Sequence, residues 1–321
     1  MKKFLLFIIL FIVLYTLTTN GQTYIQCTNI TATLLECNGT LTGNVINTSD
    51  STQSVWIHDA TITATSGALF KINTTGFINM SNVTITSTGA AGSAGTAGCP
   101  DGGSGSAGTS AEFTLISGQY INILGATITN NGGGGGTGSG QSDPCNPTGC
   151  SGGNGGNGGA SLIIINATGF LNITSSTIQS DGGKGGNGGN CGGTGPDARC
   201  GGAGGVSGNT NLTIYANYTV FKNVTINNNG LDGGNAGTSN DGGSAGGGGG
   251  SGRAYFNLSL TNSVINYFYN FTTSSRSGVG GTSSGGAPCS GSSGSNGRSI
   301  LLFQGYHFIS NYSTNFNAST T

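Results

Sequence analysis

The sequence predicts an all-β fold, a parallel β-helix (solenoid) of about 23-residue rungs, and three observations carry that prediction. First, Ala68–Thr86 (ALFKINTTGFINMSNVTIT) alternates apolar and polar residues, turns at Asn73–Gly76 and alternates again. Related stretches recur at Gln119–Thr129, Ser161–Gln179, Asn211–Asn227, Tyr255–Thr272 and Ser299–Asn317. Second, the isoleucine of Thr-Ile-Thr, or the residue in its place, falls at Ile62, Ile85, Ile128, Ile178, Ile226, Phe271 and Phe316. The intervals are 23, 43, 50, 48, 45 and 45 residues. Third, each interval after the first contains a glycine-rich tract roughly as long as its excess over 23 residues. A repeat of tens of residues marks stacked supersecondary units, no one of which is stable alone.

In chain order, residues 1–21 read as a signal peptide. Lys2 and Lys3 precede the apolar run Phe4–Leu17, and the small residues Thr19 and Gly21 suit cleavage before Gln22. An uncleaved anchor is the alternative, but the run is short for a membrane span. Residues 22–54 read as an N-terminal cap closed by a Cys27–Cys37 disulfide, followed by the first strands. Residues 55–321 read as the β-helix. Its glycine-rich insertions fall at about 88–110, 131–160, 181–208, 230–252 and 274–298. No later segment is apolar enough to cross a bilayer, and the C-terminus carries no lipid-anchor pattern.

Within a rung, the period of two sends Val83 and Ile85 to one face and Thr84 and Thr86 to the other. Valine, isoleucine, phenylalanine and threonine suit a pleated, half-buried surface. Stacked rungs place isoleucine over isoleucine and build one narrow core. The insertions have a period of their own: Gly152–Ala160 reads GGNGGNGGA, and Gly182–Asn190 reads GGKGGNGGN. Three residues make one turn of a polyproline-II helix. Collagen is excluded by 5 prolines in 321 residues and by two glycines per triplet. Tracts leaving successive rungs side by side are expected to pack as a polyglycine-II layer through backbone hydrogen bonds; flexible loops are the alternative.

The rungs resemble the right-handed parallel β-helix (pectin-lyase-like) superfamily over roughly Val55–Thr320. The insertions resemble the polyglycine-II layers of phage tail-fibre adhesins and of springtail antifreeze proteins. The first resemblance implies polysaccharide cleavage as a candidate activity, through clustered carboxylates holding Ca²⁺ or paired aspartates. No residue of this chain matches such a set position by position.

Composition narrows the function. Only 19 of the 321 residues are charged, and the net charge of −1 becomes −3 once Lys2 and Lys3 are removed. A nucleic-acid ligand needs a basic stripe, and there is none. The eight cysteines, Cys27, Cys37, Cys99, Cys145, Cys150, Cys191, Cys200 and Cys289, read as four disulfides of an oxidising compartment. Zinc at Cys145/Cys150 and Cys191/Cys200 is the competing reading, with neither the usual spacing nor a nearby histidine. Fifteen Asn-x-Ser/Thr sequons stand at Asn29, Asn38, Asn47, Asn73, Asn79, Asn82, Asn166, Asn172, Asn211, Asn217, Asn223, Asn257, Asn270, Asn311 and Asn317, all outside the glycine tracts.

Candidate chemistry is sparse. Asp101, Asp181, Asp197, Asp232 and Asp241 lie in the insertions, where they read as weak Ca²⁺ ligands or as ordinary Asp-Gly turn residues. His58 and Asp59, beside the lone Trp56, are expected to face opposite ways on one strand. His307 lies far along the axis. No cofactor is expected. Outward T-x-T pairs at Thr61/Thr63, Thr84/Thr86 and Thr127/Thr129 resemble ice-binding ladders. The array is expected to decay at Thr177/Gln179 and Thr225/Asn227, to be lost at Phe271, and to be obstructed by glycans at Asn82 and Asn223. Asn79, Asn122 and Asn172 are expected to stack as an amide ladder, which conflicts with sugar on Asn79 and Asn172. The resulting expectation is a secreted or cell-surface structural and adhesive glycoprotein, non-catalytic, with an extracellular surface, a polysaccharide or its own copies as partner. A carbohydrate-binding or carbohydrate-cleaving protein is the alternative, and an ice-binding protein the third reading.

Overall fold

A computed structural model describes residues 25, 27–43, 45–46, 53–64, 69–97, 102–140, 152–190, 201–238, 247–261, 266–282, 292–304, 308–311 and 315–319. Every regular element among them is a strand. In order these are β1 (Thr28–Thr31), β2 (Leu34–Thr42), β3 (Val45–Ile46), β4 (Ser54–Thr63), β5 (Leu69–Thr74), β6 (Ile78–Thr88), β7 (Ala111–Ser117), β8 (Ile121–Leu124), β9 (Thr127–Asn131), β10 (Ser161–Asp181), β11 (Thr210–Asn229), β12 (Ala254–Leu260), β13 (Asn266–Arg276), β14 (Ser299–Gln304), β15 (Phe308–Asn311) and β16 (Asn315–Ser319). The 16 strands belong to one sheet wrapped round a closed, barrel-like core. All pairings are parallel except β1 with β2.

Each layer has three straight runs. The first is exemplified by β5, β7, β12 and β14; the second and third lie within β4, β6 and β13, or on β8 and then β9. Register then stacks like on like. Phe70, Phe113, Ile163, Leu212 and Phe256 form one inward column. Leu41, Ile62, Ile85, Ile128, Ile178 and Ile226 form another. The five isoleucines of that column are fully buried, and burial of each such side chain contributes roughly 1.5–3 kcal/mol.

Two features of this stacking differ from the sequence expectation. Parallel layering begins at Leu34, not at residue 55, because β2 already pairs with β4 through Leu34↔Ser54. At the other end the isoleucine spacing breaks: Ile226 faces Thr273, Phe271 faces Val224, and Phe316 aligns with Thr273. The register there is set at the bend before it, where the Asn270 amide donates to Asn223 Oδ1 at 3.1 Å. Phe271 instead stacks on Phe221 with ring centroids 5.1 Å apart.

A left-handed residue separates the second and third runs of nearly every layer. Asp59 (φ 46°), Asn82 (53°), Ser175 (49°), Asn223 (53°) and Asn270 (47°) occupy this place, with Gly125 (61°) completing the column. Short polar residues and glycine tolerate that backbone region best. Each such residue adds one position to the alternation, so inward Met80 is followed by inward Val83.

The glycine tracts follow the third run and return to the first. Outgoing tracts lie in 89–97, 132–140, 182–190, 230–238 and 277–282; return tracts lie in 102–110, 152–160, 201–209, 247–253 and 292–298. Within a row, Gly135 N–H donates to the Lys184 carbonyl and Gly155 N–H to that of Ala203, both at 2.8 Å. Between rows, Gly136, Gly156, Gly186, Gly205, Gly234, Gly249, Gly281 and Gly294 donate in succession, starting from the Ser106 carbonyl, at 2.7–2.9 Å. Two glycines per triplet are needed because both inner faces meet backbone. A Cβ on Gly135 would stand 1.9 Å from the Gly156 carbonyl oxygen, and one on Gly136 would stand 1.9 Å from that of Ser93.

The third residue of a triplet faces outward, and in several tracts its N–H is capped by a side chain of the neighbouring tract. Asn154 and Asn157 accept from Ala203 and Val206 N–H at 2.9 and 3.0 Å. Asn187 and Asn190 accept from Asn235 and Thr238 N–H at 2.9 Å. Between this layer and the core runs a buried polar seam, Ser87, Asn130, Ser180, Asn228 and Ser275. There Asn130 Nδ2 donates to Ser161 Oγ at 2.7 Å and to the Ala111 carbonyl at 3.2 Å.

Candidate functional site

Among the described residues, ion pairs gather on β2 and β4. His58 Nε2 is 2.6 Å from Glu36 Oε1, and its Nδ1 is 3.2 Å from Asp59 Oδ2. The Trp56 ring lies over the imidazole, with centroids 4.3 Å apart. His58 and Asp59 therefore do not face opposite ways: the left-handed backbone at Asp59 turns its carboxylate onto the side that His58 occupies. The hydrogen bond with Glu36, then that with Asp59, raises the His58 pKa above its ordinary value. Asp59 is held below the usual carboxylate value, first by the Asn82 amide at 2.7 Å and then by His58. No hydroxyl or thiol hydrogen-bonds this histidine among the described residues, so the group is an ion-paired clasp. His307 lies outside the described residues.

The loop carboxylates are placed only in part. Asp101, Asp197 and Asp241 lie outside the described residues. Asp181 receives the Gln179 side-chain amide on Oδ2 and the Asn229 amide on Oδ1. Asp232 Oδ1 caps Val279 N–H at 2.9 Å, the same service asparagine performs elsewhere in the layer. Among the described residues, no three His, Cys, Asp or Glu side chains gather as a metal-ligand set.

Cys27 and Cys37 form a disulfide, with Cα atoms 4.6 Å apart. Cys99, Cys145, Cys150, Cys191, Cys200 and Cys289 lie outside the described residues. Of the sequon asparagines, Asn29, Asn38, Asn73, Asn82, Asn211, Asn223 and Asn270 are exposed, and Asn79, Asn166, Asn172, Asn217 and Asn257 are half-buried. Asn47 lies outside the described residues, and Asn311 and Asn317 stand in β15 and β16. The amide ladder forms on the outer surface: Asn122 Nδ2 donates to Asn79 Oδ1 at 2.8 Å, and Asn172 Nδ2 to Asn122 Oδ1 at 2.7 Å. The Asn172 nitrogen is thus committed to the ladder, whereas that of Asn79 is not in it.

The outer face of the third run carries the most regular chemistry. Thr40, Thr61, Thr84, Thr127, Thr177, Thr225 and Thr272 occupy one unbroken column through seven layers. Two residues on, Thr42, Thr63, Thr86 and Thr129 form a second column, continued by Gln179, Asn227 and Ser274. The expected loss at Phe271 does not occur, because Phe271 aligns with Val224 rather than with Ile226, which brings Thr272 into register with Thr225. Thr40/Thr42 extend the face below the layers that the sequence period marks, which is clear only from Ile62 onward. Asn82, Asn223 and Asn270 stand at the bend bordering this face rather than within it.

No protein-family model matches the chain, and no curated protein sequence matches it. Among solved structures, it is similar to the nine polyproline type II helical bundle springtail antifreeze protein from Granisotoma rainieri. Identity is 22%, over 60% of this chain and 95% of that one, with a TM-score of 0.14. A superposition of that quality transfers neither fold nor function. No helix of the described residues is long and apolar enough to cross a membrane.

Proposed function

We propose that the chain is a parallel β-helix with a polyglycine-II flank, and that it serves as a secreted or cell-surface structural and adhesive glycoprotein without catalytic activity. The observation that carries this reading is the hydrogen-bonded glycine lattice. Tracts that would otherwise be loose loops have their backbone donors matched to neighbouring carbonyls, layer after layer. A body tied together in this way and nearly uncharged suits a load-bearing or surface-displaying role. The Cys27–Cys37 disulfide supports an oxidising compartment, and the exposed sequons support glycan display.

The carboxylates weigh against the competing polysaccharide-cleaving reading, since Asp181, Asp232 and Asp59 are each occupied by amide, backbone or imidazole donors. Two measurements test the proposal together. Immuno-electron microscopy of the native source material is expected to place the protein in an extracellular coat. Incubation with a polysaccharide panel, with and without Ca²⁺, is expected to release no unsaturated or reducing ends. An intracellular location, or new chain ends from any polysaccharide, overturns it.

A further inference from the structure

The threonine face has three properties that a merely solvated sheet surface lacks. It is in register: Thr40/Thr42, Thr61/Thr63, Thr84/Thr86 and Thr127/Thr129 make a two-by-four block, and Thr177, Thr225 and Thr272 prolong one column. Its hydroxyls are free: among the described residues, none of these eleven threonine side chains hydrogen-bonds a protein group. Thr74, Thr114, Thr174, Thr213 and Thr219, on other faces or at corners, all use theirs internally. It is also uncharged, with no Asp, Glu, Lys or Arg in either column from Thr40 to Ser274.

Parallel strands lie about 4.8 Å apart, and two residues along a strand span roughly 6.6 Å. The face is therefore a grid of methyl and hydroxyl groups with those two repeats. Threonine is stiff at χ1, so adjacent groups hold their places without a large loss of side-chain entropy on binding. One hydroxyl–water bond contributes little net free energy. A rigid array engaging a periodic partner makes every contact after the first intramolecular. The partner must share both repeats, carry no charge requirement and be rich in hydrogen-bonding groups. Crystalline ice is an uncharged periodic lattice built wholly of hydrogen-bonding groups, with oxygen rows at spacings of the same order as these repeats.

We propose that the Thr40–Thr129 block and its extension to Thr272 form an ice-binding face. This goes beyond the coat reading and does not depend on it. Asn82, Asn223 and Asn270 border the face, and Asn82 and Asn270 already donate along their own column to Asp59 and Asn223, so the test uses full-length protein both as secreted and after enzymatic removal of N-glycans. Thermal hysteresis and adsorption of fluorescently labelled protein to a single ice crystal are measured. Variants Thr84→Lys and Thr127→Lys are compared with Tyr215→Lys, which alters an exposed residue on the first-run face; circular dichroism checks that each variant folds.

The expected result is hysteresis with faceted crystals in at least one glycan state, lost in the two threonine variants and kept in Tyr215→Lys. Absence of both hysteresis and adsorption in both glycan states overturns the proposal. So does ice binding that the folded threonine variants retain, or adsorption to crystalline chitin or cellulose with none to ice.

Discussion

Gly134 and Gly135 are chain neighbours with opposite obligations. A Cβ on Gly135 would meet the Gly156 carbonyl oxygen at 1.9 Å, whereas one on Gly134 finds its nearest neighbour, the Lys184 carbonyl oxygen, at 3.8 Å. Gly135→Ala is expected to lower the thermal midpoint sharply by prising two tracts apart. Gly134→Ala is expected to leave stability unchanged or raise it slightly, by about 0.4–1 kcal/mol through the unfolded chain, with the midpoint following. Differential scanning calorimetry of the two variants checks this, and equal destabilisation contradicts the lattice. The His58 clasp makes a second residue-scale prediction. Its pKa is raised above the ordinary 6.5, so its stabilisation is complete below that value and is lost as pH rises through the folded-state value. Asp59 is lowered from 3.8, so its contribution is present above that value and lost as pH falls through the depressed one. The thermal midpoint is therefore expected to be highest between these limits and to decline toward alkaline pH, with His58→Gln flattening the alkaline limb.

At the scale of the element, the strands and the glycine tracts are held by different physics. A strand such as β10 gains from burying Ile163, Ile165, Leu171, Ile173 and Ile178, the hydrophobic term being proportional to area. A tract such as 182–190 buries almost no side chain and relies on N–H groups that donate at 2.7–3.1 Å, mostly to the tracts 152–160 and 230–238, and on carbonyls that accept from 132–140 and 201–209. Chained backbone bonds of this kind polarise one another and leave no buried donor unmatched. Hydrogen exchange read by mass spectrometry is expected to show protection across 132–140, 152–160 and 182–190 of the same order as in β10 and β11. Asn187→Ala is expected to speed exchange at Asn235, whose N–H it caps, at a cost of about 1 kcal/mol. Free exchange through the tracts while the strands stay protected would rule out an ordered layer.

At the scale of the whole molecule, a hydrophobic column and a hydrogen-bonded lattice share one axis and one layer spacing. They meet at the polar seam of Asn130 and Ser161, where the chain leaves the core and returns to it. The two ends differ. At the start, β1 turns back antiparallel on β2 and the disulfide fastens it, covering an edge that would otherwise pair with a second chain. At the far end, Leu301 and Phe303 of β14 point inward but are only partly buried, and no described strand covers the outer edge of β14.

Much of this was legible in the sequence. Ile62, Ile85, Ile128, Ile178 and Ile226 stack as their spacing implied, since alternation and burial leave a parallel strand one admissible register. The glycine tracts fell between the strands for the same reason, and the order Asn79, Asn122, Asn172 foretold the amide ladder. What the sequence could not fix was phase after a bend. One left-handed residue shifts the alternation by one, which turned Asp59 toward His58, and the register that Asn223 and Asn270 share moved the β13 layer by two residues and restored the threonine column at Thr272. The role of asparagine in GGN was equally hidden, because its partner lies in another tract dozens of residues away. Composition and period determined the strands, their order and the existence of a separate glycine phase. Only the tertiary structure decided which side chains share a column, because register is set by contacts between layers that no single repeat contains.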